Sequence, residues 1–234
     1  MAIAENIASI RHRMKAAGMR AGRNVDDVTL MAVSKTVPPE LIRGAYLAGV
    51  RVFGENRVQE FARKIDALRD LSNAEWHLIG HLQTNKAAKA AELFSAVDSI
   101  DSLRLAQKLN SAAQQAGKKV GVLIEINVGR EAAKTGVGPE SQDLEEILQA
   151  VPSLVFLEIR GLMTIPPLTG DPREARPYFR RLRELRERIG ARRLEGVSME
   201  VLSMGMSHDF EIAIEEGSTC VRLGTVIFGE RKML

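Results

Sequence analysis

Val28-Thr-Leu-Met-Ala-Val33-Ser34-Lys35-Thr36-Val-Pro38-Pro39 reads as a buried strand that runs into a turn and then a helix. Six residues from Val28 to Val33 are mostly apolar and β-branched or straight-chain, as a parallel strand covered on both faces requires. Pro39 suits the first turn of a helix, where the missing N–H costs nothing. Lys35 therefore sits at the exit of a strand, where α/β folds host chemistry. A lysine held there and partly desolvated can lose its proton near neutral pH and form a Schiff base with an aldehyde. The plain alternative is a solvated loop lysine.

The same strand-then-helix unit repeats outward from this stretch. Candidate strands are 28–33, 50–54, 76–80, 96–100, 120–128, 156–163, 201–204 and 220–224. Candidate helices between them are 39–48, 57–69, 85–94, 101–116, 139–150, 171–189 and 209–216. Asp101 is a candidate N-cap, and Pro139 a candidate first-turn residue. Eight alternating units imply parallel strands joined by right-handed crossovers. In about 200 residues this fits a (β/α)8 barrel, with an open doubly wound sheet as the rival. An extra helix over 1–22, with Ile3, Ile7, Ile10 and Met14 on one stripe, lies outside the repeat. No Pro/Gly/Ser-rich linker divides the chain, so one domain over 1–234 is expected.

Bulk composition narrows the function classes. The chain has 234 residues, 45% hydrophobic and 27% charged, as in soluble globular proteins. One cysteine, Cys220, excludes an internal disulfide framework and points to a reducing compartment. No apolar signal core or membrane-length run is present, so a cytoplasmic protein without a membrane partner is expected. The net charge is +3, and nine arginines against four acids between Asp171 and Arg193 hold all of the excess. The rest of the chain is slightly acidic, which argues against a nucleic-acid partner. The arginines read as a solvated helix face paired with Glu184 and Glu187.

Polar groups gather where the strands end: Lys35, Gly54-Glu55-Asn56-Arg57, His81-Leu-Gln83-Thr-Asn85-Lys86, Asn127, Thr164, Ser203-Met-Gly205-Met-Ser207-His208-Asp209 and Arg222-Leu-Gly224-Thr225. After the seventh and eighth strands, Ser207 and Gly224-Thr225 precede helix starts. Barrels often bind phosphate there. Each hydroxyl could equally be a simple helix cap. Arg222 lies between Val221 and Leu223 and needs a partner inside the barrel. That partner is either a structural acid such as Glu125 or Glu158, or a ligand heteroatom. Of His77 and His81, one is expected to face the core. No spacing of ligands suggests a metal.

Together Ala32-Val-Ser-Lys35, Gly54-Glu-Asn-Arg57, Trp76-His-Leu-Ile-Gly-His-Leu-Gln-Thr-Asn-Lys86, Gly161-Leu-Met163, Leu202-Ser-Met-Gly-Met-Ser207 and Arg222-Leu-Gly-Thr225 resemble the pyridoxal-phosphate homeostasis protein family. The resemblance runs from about Val28 to Gly229. It implies a single TIM barrel like the N-terminal domain of alanine racemase. It implies pyridoxal 5′-phosphate (PLP) held as an internal aldimine on Lys35, with Arg222 facing the pyridine nitrogen and Asn56 near the ring. Ser207, Gly224 and Thr225 would hold the phosphate. No catalytic residue is assigned.

An arginine opposite the pyridine nitrogen disfavours ring protonation and weakens the electron sink. No second domain of the kind a racemase uses is expected, and both tyrosines, Tyr46 and Tyr178, fall on predicted helices. The expectation is a monomeric PLP carrier with apo-PLP enzymes as recipients. A slow amino-acid racemase is the enzymatic alternative, and a Schiff-base phosphosugar aldolase the third.

Overall fold

The structure is a computed structural model and describes residues 3–129, 131 and 134–229. The outermost residues of the expected 1–234 domain, and the first two of the 1–22 helix, lie outside those described. Eight parallel strands close into a barrel in chain order: β1 (Thr29–Val33), β2 (Val52–Glu55), β3 (Glu75–Leu78), β4 (Ala96–Ile100), β5 (Val120–Glu125), β6 (Leu157–Met163), β7 (Val197–Ser203) and β8 (Cys220–Leu223). Closure is made by β8 beside β1, with Met31 opposite Arg222 and Ala32 opposite Leu223. The open-sheet rival is thereby excluded.

The helices are α1 (Ile3–Arg20), α2 (Pro39–Leu47), α3 (Val58–Lys64), α4 (Ala87–Leu93), α5 (Leu103–Gln115), α6 (Gln142–Ala150), α7 (Arg176–Ala191), α8 (Phe210–Glu215) and α9 (Thr225–Phe228). Period-two alternation splits each strand between two interiors. Outward residues such as Ala32, Phe53, Leu78, Val97, Val122, Leu202 and Val221 join the helices in the main core. Inward residues Met31, Val33, Ile79 and Cys220 form a small separate cluster inside the barrel. That inner space is otherwise polar, because Asp98, Ser203, Glu125 and Arg222 are also buried.

α1 lies outside the repeat and packs Ile7, Ile10, Met14 and Ala17 inward. Arg13 Nε donates to Glu211 of α8 at 2.8 Å, and Asn6 Nδ2 donates to the Ile227 carbonyl at 2.8 Å. It thus braces the two helices that follow β7 and β8.

Several boundaries differ from the sequence reading, each for a local reason. β5 ends at Glu125, and Ile126 bridges Val137 instead of continuing the barrel. β7 begins at Val197, hidden from the sequence by exposed Ser198 and Glu200 and by Met199 at φ +53°. Asp101 is not the N-cap of α5. Ser102 accepts from the Leu105 N–H at 3.4 Å, while Asp101 bonds His81 Nδ1 at 2.9 Å. Pro139 does not open α6, whose cap is Ser141, accepting from the Leu144 N–H at 3.3 Å. The 57–69 segment tightens from α3 into a 3-10 turn, Ile65–Leu68, and 171–189 begins as the 3-10 turn Pro172–Ala175. The α7 arginines reach beyond their own helix. Arg183–Glu187, at 3.8 Å, is the intrahelical pair, whereas Arg176, Arg180 and Arg183 converge on Glu216 after α8. Arg181 meets Glu140, and Arg192 meets Glu145 of α6.

Candidate functional site

The C-terminal ends of β1, β2, β7 and β8 are neighbours around the closure seam. Lys35 lies in the turn two residues past β1, and Asn56 directly follows β2. Ser207 is in the β7–α8 loop, Arg222 is in β8, and Gly224-Thr225 open α9. The fold thus gathers all six sequence-predicted residues on strand ends at one rim of the barrel.

Arg222 points inside the barrel and is 4% exposed. Its guanidinium donates to Ser203 Oγ at 2.7 Å and to the Thr164 carbonyl at 2.8 Å. Neither expected acid pairs with it. Glu158 bonds Arg160 at 2.7 Å, and Glu125 accepts from Thr135 Oγ1 at 2.8 Å. Among the described residues Arg222 makes no ion pair, so neutral acceptors hold a buried cation. Burial pulls its pKa below the ordinary arginine value, and nearby Asp98, Asp209 and Glu125 act against that pull. Burial likewise pushes the Glu125 and Asp209 carboxyls up.

A second polar pair, with Asp98 buried and His77 partly buried, lies inside the barrel beneath Arg222. His77 Nδ1 is 3.1 Å from Asp98 Oδ2. Burial opposes a charge on His77, but Asp98 and Glu75 outweigh it and raise the imidazole to about 9. Cys220, at the same depth, is pushed up to about 12 by burial and by Asp98. It is an inert core thiol. His77 is thus the inward histidine, and His81 is exposed beside Asp101.

The loop after β7 is shaped by Gly205 and Asp209. Gly205 has φ +96°, and a Cβ there would lie 2.5 Å from the Ala213 methyl. Its carbonyl accepts from the Arg222 N–H at 3.0 Å, which ties the loop to β8. Asp209 Oδ1 accepts from the Met206 N–H at 2.6 Å. Ser207 and Thr225 do not act as caps. Neither α8 nor α9 has a side-chain cap at its N-terminus. Gly224 has φ −118°, and a Cβ there would meet only Val33 at ordinary contact distance.

Asn56 Oδ1 is a buried acceptor without a hydrogen-bond partner among the described residues. Its backbone is fixed by the adjoining strand exit, since a Cβ at Gly80 would fall 2.4 Å from the Asn56 carbonyl. An orphaned acceptor, an uncapped pair of helix starts and an unpaired buried guanidinium are what an aromatic, phosphate-bearing ligand would satisfy. The residues present therefore fit PLP.

Sequence reasoning named Ser34 and Glu55 at strand exits but missed the network that links them around Lys35. Ser34, Glu55, Glu60 and Lys64 form a network whose only signal was the i,i+4 spacing of Glu60 and Lys64. It also missed Asp98, Ser203 and Thr164 as partners, because they come from distant strands. Asn127 at the β5 exit serves its own loop, donating to the Glu131 carbonyl at 2.8 Å. Among the described residues no cluster of His, Cys, Asp or Glu could hold a metal, and no helix is long and apolar enough to cross a membrane. An open cleft of about 950 Å³ sits at the opposite end of the barrel beside Lys119, Glu158 and Arg160, and holds none of the six residues.

The family model "Alanine racemase, N-terminal domain" matches residues 2–232. A pyridoxal phosphate homeostasis protein of Aquifex aeolicus (strain VF5) is 48% identical over 97% of this chain and 98% of that one. The structure of PipY of Synechococcus elongatus PCC7942 with PLP bound superposes with a TM-score of 0.84, at 38% identity, over 97% of this chain and 100% of the other. Alanine racemase from Streptomyces coelicolor A3(2) shares the fold alone, at 21% identity and a TM-score of 0.72, and this chain spans 58% of it. The chain therefore belongs to the pyridoxal phosphate homeostasis protein family, built on the barrel of the alanine racemase N-terminal domain.

Proposed function

We propose that this chain binds pyridoxal 5′-phosphate through a Schiff base on Lys35 and acts in intracellular vitamin B6 homeostasis as a carrier rather than a catalyst. The deprotonated Lys35 amine adds to the aldehyde carbon, and one water leaves as the carbon–nitrogen double bond forms. PLP supplies a reactive aldehyde and an electron-accepting ring. The protein supplies the amine, the Arg222 guanidinium toward the ring nitrogen, Asn56 beside the ring, and Ser207, Gly224 and Thr225 for the phosphate. The whole of 1–234 acts as one PLP-binding barrel domain. The setting is the cytoplasm, the form a monomer, and the recipients are apo-PLP enzymes.

The observation that carries this reading is Arg222: a buried cation held by a hydroxyl and a carbonyl, on the strand paired with the one that leads to Lys35. A guanidinium there disfavours a protonated ring and so weakens carbanion stabilisation. Both tyrosines sit on outer helices, Tyr46 on α2 under Arg51 and Tyr178 on α7, so neither supports a racemase-type base at the strand ends.

Borohydride reduction followed by peptide mapping tests the anchor. A phosphopyridoxyl group on the Lys35 peptide is expected, and its absence after PLP addition would sink the reading. Exchange of the α-hydrogen of added amino acids separates the alternatives. No exchange over long incubation fits a carrier, whereas steady exchange would make the chain a slow racemase.

A further inference from the structure

Both neighbours of Lys35 are pinned by one charged network from β2 and α3. Ser34 is buried, and each of its polar groups is engaged. Its N–H donates to the Gly54 carbonyl at 2.9 Å, its hydroxyl to Glu55 Oε1 at 2.5 Å, and its carbonyl accepts from Lys64 Nζ at 2.9 Å. Lys64 Nζ also lies 2.8 Å from Glu55 Oε1 and 3.1 Å from Glu60 Oε1. Glu60 Oε1 in turn accepts from the Thr36 N–H at 2.5 Å. Thr36 has φ +60°, a left-handed conformation that a β-branched residue adopts only when its surroundings impose it.

The network is buried enough to be demanding. The Glu55 carboxylate is fully buried, and its second oxygen has no hydrogen-bond partner. Burial pushes Glu55 up, and Lys64 opposes that shift. The Lys64 side chain is 10% exposed, unusual for a lysine. A lone Glu60–Lys64 helix pair would need neither this burial nor the reach to β1.

We infer that Lys64, with Glu55 and Glu60, is a positioning residue for Lys35. It fixes the backbone on both sides of the anchor so that the amine is presented in one direction. The inference rests on the reading of Lys35 as the PLP anchor. Lys64 acts through the turn and is not itself the attachment point.

The test uses Lys64→Met, Lys64→Arg, Glu60→Ala and the charge-neutral double variant Glu55→Gln/Lys64→Met. Melting curves show which variants fold, and the double variant avoids leaving a buried carboxylate alone. In PLP-free protein, exchange of the Thr36 amide should quicken at least tenfold in Lys64→Met, in the double variant and in Glu60→Ala. In PLP-loaded protein, the adduct should remain on Lys35, while the induced circular dichroism of the bound chromophore falls and PLP release quickens at least tenfold. Lys64→Arg should restore most of the dichroism, which a loss of general stability would not explain. Thr36 exchange and PLP release within twofold of the unmodified protein in the double variant would overturn the inference. A missing Lys35 adduct in the unmodified protein would instead overturn the anchoring reading, and the positioning role with it.

Discussion

Arg222 and the arginines of α7 carry the same charge and are handled in opposite ways. Inside the barrel, one guanidinium is held by a hydroxyl and a carbonyl and makes no ion pair among the described residues. On the outer layer, Arg176, Arg180 and Arg183 converge on Glu216, which is 5% exposed, and Arg176 also bonds Glu215. The outer charges are consumed in binding one helix to the next. The inner charge keeps its field. A fold that supplies a carboxylate to its surface arginines repeatedly leaves the buried one without a directly bonded carboxylate among the described residues, at the rim where Lys35, the proposed anchor, emerges. Its position is better explained by a ligand than by stability.

Removing the inner charge should therefore damage binding far more than folding. Arg222→Met is expected to weaken PLP retention about 100-fold, while the unloaded protein stays within about 1 kcal/mol of its original stability. Equilibrium dialysis of PLP and urea unfolding of the unloaded protein check the two halves. A variant that unfolds but retains PLP in its folded fraction would make Arg222 structural and erase the contrast. Arg222→Glu sharpens the same point, because a carboxylate beside the ring nitrogen should raise α-hydrogen exchange above that of the unmodified protein.

The pair beneath Arg222 predicts a pH dependence of definite sign. The folded His77 imidazole, at about 9, lies above the ordinary unfolded value near 6.5. Its stabilisation is then fully present below about 6.5 and is lost as pH rises through about 9, on the order of 3 kcal/mol. Urea midpoints should fall across that window. The double variant His77→Gln/Asp98→Asn should flatten the alkaline limb, and an unchanged slope would assign it elsewhere.

The outer hub gives the opposite limb. Burial works against the Glu216 carboxylate, but the arginines outweigh it and hold its pKa below the usual carboxylate value. A depressed carboxyl stabilises above its unfolded value and loses that contribution as pH falls through the folded one. Glu216→Gln should cost about 2 kcal/mol at pH 7 and less in acid, since it breaks a buried multi-arginine contact. PLP retention should not change, because α7 and α8 meet outside the barrel.

What was legible in the chain follows the same division. Period-two and helical patterns revealed the eight-fold repeat, and strand exits exposed Lys35, Asn56 and Arg222, because these are properties of consecutive residues. Partners could not be read this way. Arg222 takes its acceptors from β7 and the β6 exit, and the Glu55–Lys64 contact joins a strand end to the last turn of a helix. Such pairs depend on register around the closed barrel, which local patterns do not encode. The arginine helix misled for a related reason. Glu184 and Glu187 were near in sequence, but the strongest acceptors lay on α6 and at the end of α8. Two helix starts also shifted: Ser102 rather than Asp101 caps α5, and α6 begins at Gln142 behind the cap Ser141 rather than at Pro139, because each serine hydroxyl reaches the third amide of its helix.

Arg192 offers the smallest effect and the cleanest control. It forms a two-pronged contact with Glu145, at 2.7 and 2.9 Å, joining α7 to α6. Both side chains are more than a third exposed, so water screens the attraction and competes for the same hydrogen bonds. Glu145 raises the Arg192 pKa, but that shift does not translate into comparable stability at a solvated site. Arg192→Ala should cost less than about 1 kcal/mol, and raising the salt concentration should shrink the difference further. Its two distances, 2.7 and 2.9 Å, nearly match the 2.7 and 2.8 Å of the inner arginine. If urea unfolding found a loss as large as that of Glu216→Gln, burial would not be what separates the two regions, and the special status of Arg222 would have to rest on its ligand alone.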